Sequence, residues 1–232
     1  MNKTILFVLA LLIVPTALAH QPRVVEGSGI TQVKNPEISQ AFYGELDGSP
    51  AVFEIESDAP FKLYAGITVP AIEGAEKDKS VDIEALDQKG DWKRIVFLNA
   101  SSGWTPFYEE FAGDDYFQGP QARASLSAGV YRITVSSPGN RGKYALAIGE
   151  EEVFGVGDTI NALILLPRLK SWFFNKSPID AFFTKIYLFA LMPVIVIIIV
   201  LAMLVWALKR YALRPKKKGA GKARTGKIKK TR

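Results

Sequence analysis

The sequence predicts an all-β fold, an antiparallel β-sandwich, exported from the cell and tied to a membrane by one C-terminal helix. Three observations carry this. First, from Ile38 to Gly149 short runs of β-branched and aromatic residues alternate with polar ones at strand period, with turn formers between them. Second, Ile186 to Leu208 is a run of 23 residues without a charge, long enough to cross a hydrocarbon layer of ~30 Å. Third, charge is segregated. Residues 20–185 hold sixteen basic and all 23 acidic residues, net −7, whereas residues 209–232 hold twelve basic residues and no acid.

Residues 1–19 have the form of a secretory signal peptide. Lys3 supplies a positive start, Ile5 to Val14 a short apolar run, and Ala17-Leu18-Ala19 a small-x-small cleavage site. Ten apolar residues are too few to span a bilayer. Cleavage would leave His20 as the first residue.

Residues 20–152 form the expected exported domain. Its candidate strands are ISQAFYGEL, AVFEIES, PFKLYAGITV, KSVDIEAL, WKRIVFL, ARASLS, GVYRITVSS and GKYALAIGE. Turn sequences such as Asp47-Gly48-Ser49-Pro50 and Ser137-Pro138-Gly139-Asn140 separate them. Seven or eight short strands with turns every 8 to 15 residues indicate one sandwich. The chain has no cysteine, so an exported domain must rest on its apolar core rather than on disulfides.

The stretch SAGVYRITVSSPGNRGKYALAIGE, residues 127–150, resembles the closing hairpin of the bacterial pre-peptidase C-terminal domains. Gly129-Val130-Tyr131 and Tyr144-Ala145-Leu146 stand where that family has its Gly-x-Tyr and Tyr-x-Leu strands. The resemblance implies a jelly-roll-like sandwich and a non-catalytic accessory role. The Asp-rich opening expected of that family is absent here, which weakens any metal binding carried over from it.

Residues 153–177 predict a juxtamembrane amphipathic segment. Asn161, Arg168, Ser171 and Asn175 recur at helical spacing among Leu, Ile, Trp and Phe, the pattern of a helix lying in the outer headgroup region. A helix packed on the sandwich is the alternative. Ser177-Pro178-Ile179-Asp180 carries a capping residue, Pro at the first helical position and an acid in the first turn. A helix over 178–208, with its membrane span at 186–208, is expected to start there. The basic tail, 209–232, is expected on the cytoplasmic side, with Lys209, Arg210, Arg214, Lys216, Lys217 and Lys218 nearest the membrane surface.

Catalytic chemistry is thinly supplied. His20 is the one histidine, so Ser-His-Asp and Cys-His arrangements within the domain and the usual nitrogen-sulfur zinc sites are excluded. No cofactor is expected. Carboxylates remain. PFYEEFAGDDYFQGP, residues 106–120, holds Glu109, Glu110, Asp114 and Asp115 among five aromatic rings. These acids could form an acid and base pair for a hydrolase or ligate Ca²⁺. The plainer expectation is a long loop pinned by Trp104, Phe107, Phe111, Tyr116 and Phe117, with its acids in water.

The expected function is that of a membrane-anchored extracytoplasmic binding module, contacting a protein or glycan partner outside. The alternatives are a carboxylate-based hydrolase and an accessory subunit of a membrane complex. The tail suits anionic inner-leaflet lipid. Nucleic acid fits it less well, because it has no aromatic residue to stack on bases.

Overall fold

The computed structural model describes residues 20–27, 29–101 and 103–212. The expected signal peptide lies outside the described residues, as do Arg214, Lys216, Lys217 and Lys218 of the tail. Among the described residues eleven strands form two sheets. They are β1 (Gln21–Val24), β2 (Ile30–Gln32), β3 (Gln40–Asp47), β4 (Ala51–Ser57), β5 (Phe61–Pro70), β6 (Ser80–Leu86), β7 (Trp92–Leu98), β8 (Thr105–Glu109), β9 (Asp114–Leu126), β10 (Gly129–Ser136) and β11 (Arg141–Ile148). The first sheet has the order β1-β3-β11-β5-β9-β8, and the second β2-β4-β10-β6-β7.

Each of the eight longer strands has one face made for the space between the sheets. In β10, Tyr131, Ile133 and Val135 point inward; in β5, Phe61, Leu63, Ala65, Ile67 and Val69 do the same. Residues from both sheets meet in one core, where Phe42 stacks edge-on to Phe53 at 5.3 Å and Phe61 to Tyr131 at 5.5 Å. Along the chain, β3, β4, β5 and β6 alternate between sheets. β6 and β7 then pair as neighbours, and β9, β10 and β11 alternate again. With β1, β2 and β8 set aside as edges, eight strands in this order make a jelly roll.

All eight expected strands are present, with three differences. β10 and β11 are consecutive but lie in opposite sheets, so residues 137–140 form an arch across the sandwich rather than a hairpin turn. The sheets are mixed, because β1 runs parallel to β3 and β2 parallel to β4. Residues 106–120, expected as a loop, are the β8–β9 hairpin: Phe107 pairs Tyr116, and Glu109 pairs Asp114. The three unforeseen strands have 4, 3 and 5 residues, too short to show a period.

Beyond the sandwich, helix α1 (Val156–Arg168) widens into a π-helical turn over Leu169–Phe173, in which the Phe174 N–H donates to Leu169 O at 3.1 Å. A 3₁₀ turn, Pro178–Phe183, follows; its capping Ser177 hydroxyl accepts from the Ile179 N–H. The helix α2 (Lys185–Ala212) then runs without interruption, with Pro193 inside it. Its stretch Lys185–Tyr211 is long and apolar enough to cross a membrane and is almost wholly exposed. The end of the amphipathic segment packs on the sandwich. Leu169, Phe173 and Phe174 are buried with Tyr116 and Ala145 on the outer face of the first sheet, because four apolar side chains over 169–174 find a ready apolar partner there.

Candidate functional site

The outer face of the first sheet is built of small residues. Ala41 on β3, Ala145 and Ala147 on β11, and Gly66 and Thr68 on β5 alternate with core residues and leave a flat floor. Gly66 is required there: a Cβ would sit 2.7 Å from the Tyr64 hydroxyl laid over it. The helix α1 flanks this floor. Asn161 Nδ2 donates to Pro22 O at 3.1 Å, and Arg23 pairs with Asp158 at 3.3 Å and Arg168 with Glu26 at 3.0 Å. The β8–β9 hairpin forms the opposite flank. The start of α2 closes one end. Tyr187 Oη donates to Leu163 O at 2.6 Å, Ile186 N to Phe111 O at 3.3 Å, and the Phe111 and Phe189 rings lie 6.5 Å apart. Between these walls lies a cavity of about 660 Å³.

Beside this end lies an ion cluster. Asp114, at the start of β9, is 1 % exposed, and its Oδ1 accepts from Lys170 Nζ at 2.8 Å and Lys176 Nζ at 3.0 Å. Lys170, 2 % exposed, also donates to Ala112 O at 2.5 Å. Two ammonium groups around one buried carboxylate hold the π-helical turn and the segment after it against the hairpin.

The four acids of the hairpin are thereby separated. Glu109 folds back over its own turn, accepting from the N–H of Phe111 at 2.9 Å and of Ala112 at 2.7 Å. Burial pushes its carboxyl above the ordinary range, the two backbone donors opposing. Glu110 pairs with Lys185 at 2.7 Å, which holds it below the ordinary range. Asp115 points to water. Among the described residues no three His, Asp or Glu side chains converge. The expectation that these acids sit in water is corrected for Asp114 and Glu109. The ring expectation changes too: Phe107 is 41 % exposed, and Tyr116 is the buried anchor.

Two phenols complete the floor. The hydroxyls of Tyr43 and Tyr116 bond each other at 2.9 Å. Burial raises both well above the usual phenol value, so neither loses its proton near neutral pH. Lys209 and Arg210 lie exposed in the last turns of α2, where cations suit the helix dipole. The Arg210 guanidinium is 5.2 Å from the Trp206 ring centre.

Sequence reasoning missed Lys170 and Lys176 as the partners of Asp114. One signal was present: Lys170 interrupts the apolar run LILLPRLKSWFF. The small outer face was also readable, as the Ala145 and Ala147 positions of the alternating strand YALAI.

Comparisons with known proteins give likeness in fold only. A scan against protein-family models finds no match, and no curated protein matches. Among solved structures, the chain is similar to the pre-peptidase C-terminal domain of collagenase from Bacillus anthracis. That pair shares 10 % identity over 54 % of this chain and 97 % of that one, with a TM-score of 0.32. A structure from Sulfurospirillum deleyianum shares 9 % identity over 48 % of this chain and 99 % of that one, TM-score 0.28. A β-glucosidase from Paenibacillus barengoltzii shares 12 % identity over 58 % of this chain and only 13 % of the enzyme, TM-score 0.25. The first is the domain family that residues 127–150 resemble. At these TM-scores the likeness carries no weight, and the jelly-roll order stands on the strand pairing alone.

Proposed function

We propose that this chain is a non-catalytic binding module, tethered by α2 to the outer surface of a membrane, with the first sheet and its cavity as the binding surface. One observation carries the reading. The sandwich is not loosely strung on its anchor; Phe111, Leu163 and Ala112 contact the first turns of α2 or the turn before it. A cavity so fixed sits beside the bilayer by construction. The signal-like residues 1–19 and the twelve basic residues after the span support an outside domain and an inside tail.

The chain has no cysteine, which makes the topology simple to test. Gln88→Cys, in the exposed β6–β7 turn, and Thr225→Cys, in the tail, are each exposed to a membrane-impermeant maleimide in intact cells and after lysis. The first is expected to react in intact cells, the second only after lysis. The reverse order, or reaction of both in intact cells, would overturn the reading.

A further inference from the structure

We infer that the cavity between the first sheet and α1 takes one acyl chain of a bilayer phospholipid, entering along α2. This rests on the reading that α2 crosses the membrane.

The cavity runs along α1 from Val156 to Leu166 and ends against Phe189, Ala190 and Pro193 of α2. Ten residues of helix are about 15 Å long. Pro193 stands seven residues beyond Ile186, so the lower wall reaches about 10 Å along the apolar span. A cavity bounded by span residues at that depth is continuous with the hydrocarbon layer. Its upper rim is apolar as well: Val156 and Ile160 of α1 are exposed and line it.

Size permits the occupant. A volume of about 660 Å³ lies within the ~300–1,000 Å³ of ligand pockets, and the cavity is long enough along α1 for an extended hydrocarbon chain.

Polarity favours it. Most of the wall is apolar, and several of its polar groups already have partners, although the side chains of Gln118 and Gln121 and the Tyr64 hydroxyl also line it. The Tyr43 and Tyr116 hydroxyls bond each other, Thr68 Oγ1 donates to Ala145 O at 3.3 Å, and both oxygens of Glu109 accept backbone N–H groups. A polar ligand would find few groups to meet it, and a hydrocarbon chain needs none.

The test uses the full chain in phospholipid vesicles that include a phosphatidylcholine bearing a diazirine in its acyl chain. After irradiation, labelled peptides are mapped by mass spectrometry. Label is expected on β11 and α1 as well as on α2. Two variants fill the cavity from opposite walls, Ala147→Trp on the floor and Ile160→Trp on the exposed side of α1, where the core is not disturbed. Each is expected to cut the β11 and α1 label several-fold while label on α2 beyond Pro193 stays as it was. Label on α2 alone, or label on β11 and α1 that both variants leave unchanged, would overturn the inference. Loss of that label to a small amount of added palmitate would overturn it in favour of a free fatty acid. Absence of label on α2 itself would instead refute the membrane reading.

Discussion

Lys170 Nζ lies 2.8 Å from Asp114 Oδ1, and both side chains are almost fully withdrawn from water. They come from elements 56 residues apart. Removing one partner of a buried pair strands the other charge, at about 3–5 kcal/mol. Here Lys176, partly exposed, still reaches Asp114, so Lys170→Met is expected near the lower end, about 3 kcal/mol. Lys170→Met with Asp114→Leu should recover much of that loss. Urea unfolding of the full chain in detergent measures both. A double variant as unstable as the sum of the two single variants would show that the pair is not coupled.

The folded unit is expected to extend beyond residue 152 to about residue 177. Leu169, Phe173 and Phe174 cover Tyr116 and Ala145, so a fragment ending at 152 would expose the face that they close. Burying a Phe is worth about 1.5–3 kcal/mol. Residues 20–177 are expected to be monomeric and to unfold at a clearly higher temperature than residues 20–152. The shorter fragment is expected to self-associate or to bind a hydrophobic dye. Equal midpoints and equal dye binding would show that the segment is not part of the folded unit.

What the sequence could reveal followed from period. Eight strands of 7 to 13 residues declared themselves because they are long enough to alternate, as in Tyr131, Ile133 and Val135, or to concentrate β-branched and aromatic residues, as in WKRIVFL. Strand order did not show, because period says which face a residue takes and not which neighbour it meets; hence the arch at 137–140 read as a hairpin. Residues 156–173 are helical, yet an amphipathic pattern serves a headgroup layer and an apolar sheet face equally. Asp114 and Glu109 were misjudged for a related reason: adjacent acids look solvated until a lysine 56 residues on is brought to one of them.

Phe173 and Phe107 make a contrast that separates the structure from the sequence expectation. Phe173 is 0 % exposed and Phe107 is 41 % exposed. Phe173→Ala is expected to cost about 3–5 kcal/mol, and Phe107→Ala about 1 kcal/mol or less. Thermal unfolding of the full chain in detergent ranks them; the opposite ranking would contradict the docking of the π-helical turn.

Glu109 gives a pH signature. Its folded-state value is raised by burial, so the native protein holds this proton more tightly than the unfolded chain does. Its contribution is present at low pH and is lost as pH rises from the ordinary value of 4.5 towards the raised one. Asp114 nearby raises it further, and Lys170 opposes. In Glu109→Gln the side chain accepts through one oxygen only, so the variant should be less stable at pH about 4, and the gap should narrow by pH about 7. Urea midpoints of both proteins across that range test it. A gap that widens with pH would contradict the raised carboxyl.

The basic end of the chain should bind anionic membranes and contribute nothing to the fold. Lys209 and Arg210 are exposed at the end of α2, and among the described residues the ion pairs of the sandwich, such as Arg23 with Asp158 and Lys170 with Asp114, involve neither of them. Twelve positive charges without an acid follow the span, each worth ~1 kcal/mol near an anionic leaflet. The first few lie within a Debye length, ~10 Å at 0.1 M salt, of the headgroups. A peptide of residues 209–232 is therefore expected to float with phosphatidylserine vesicles at low salt and to release at high salt. Replacing Lys216, Lys217, Lys218, Lys227, Lys229 and Lys230 by Gln should weaken that binding strongly. The same six replacements in the full chain should leave the unfolding midpoint of the sandwich where it was, since the domain's own ion pairs, Asp114 with Lys170 among them, lie wholly before the span. Equal flotation with neutral and anionic vesicles would leave the tail with orientation of the helix as its role.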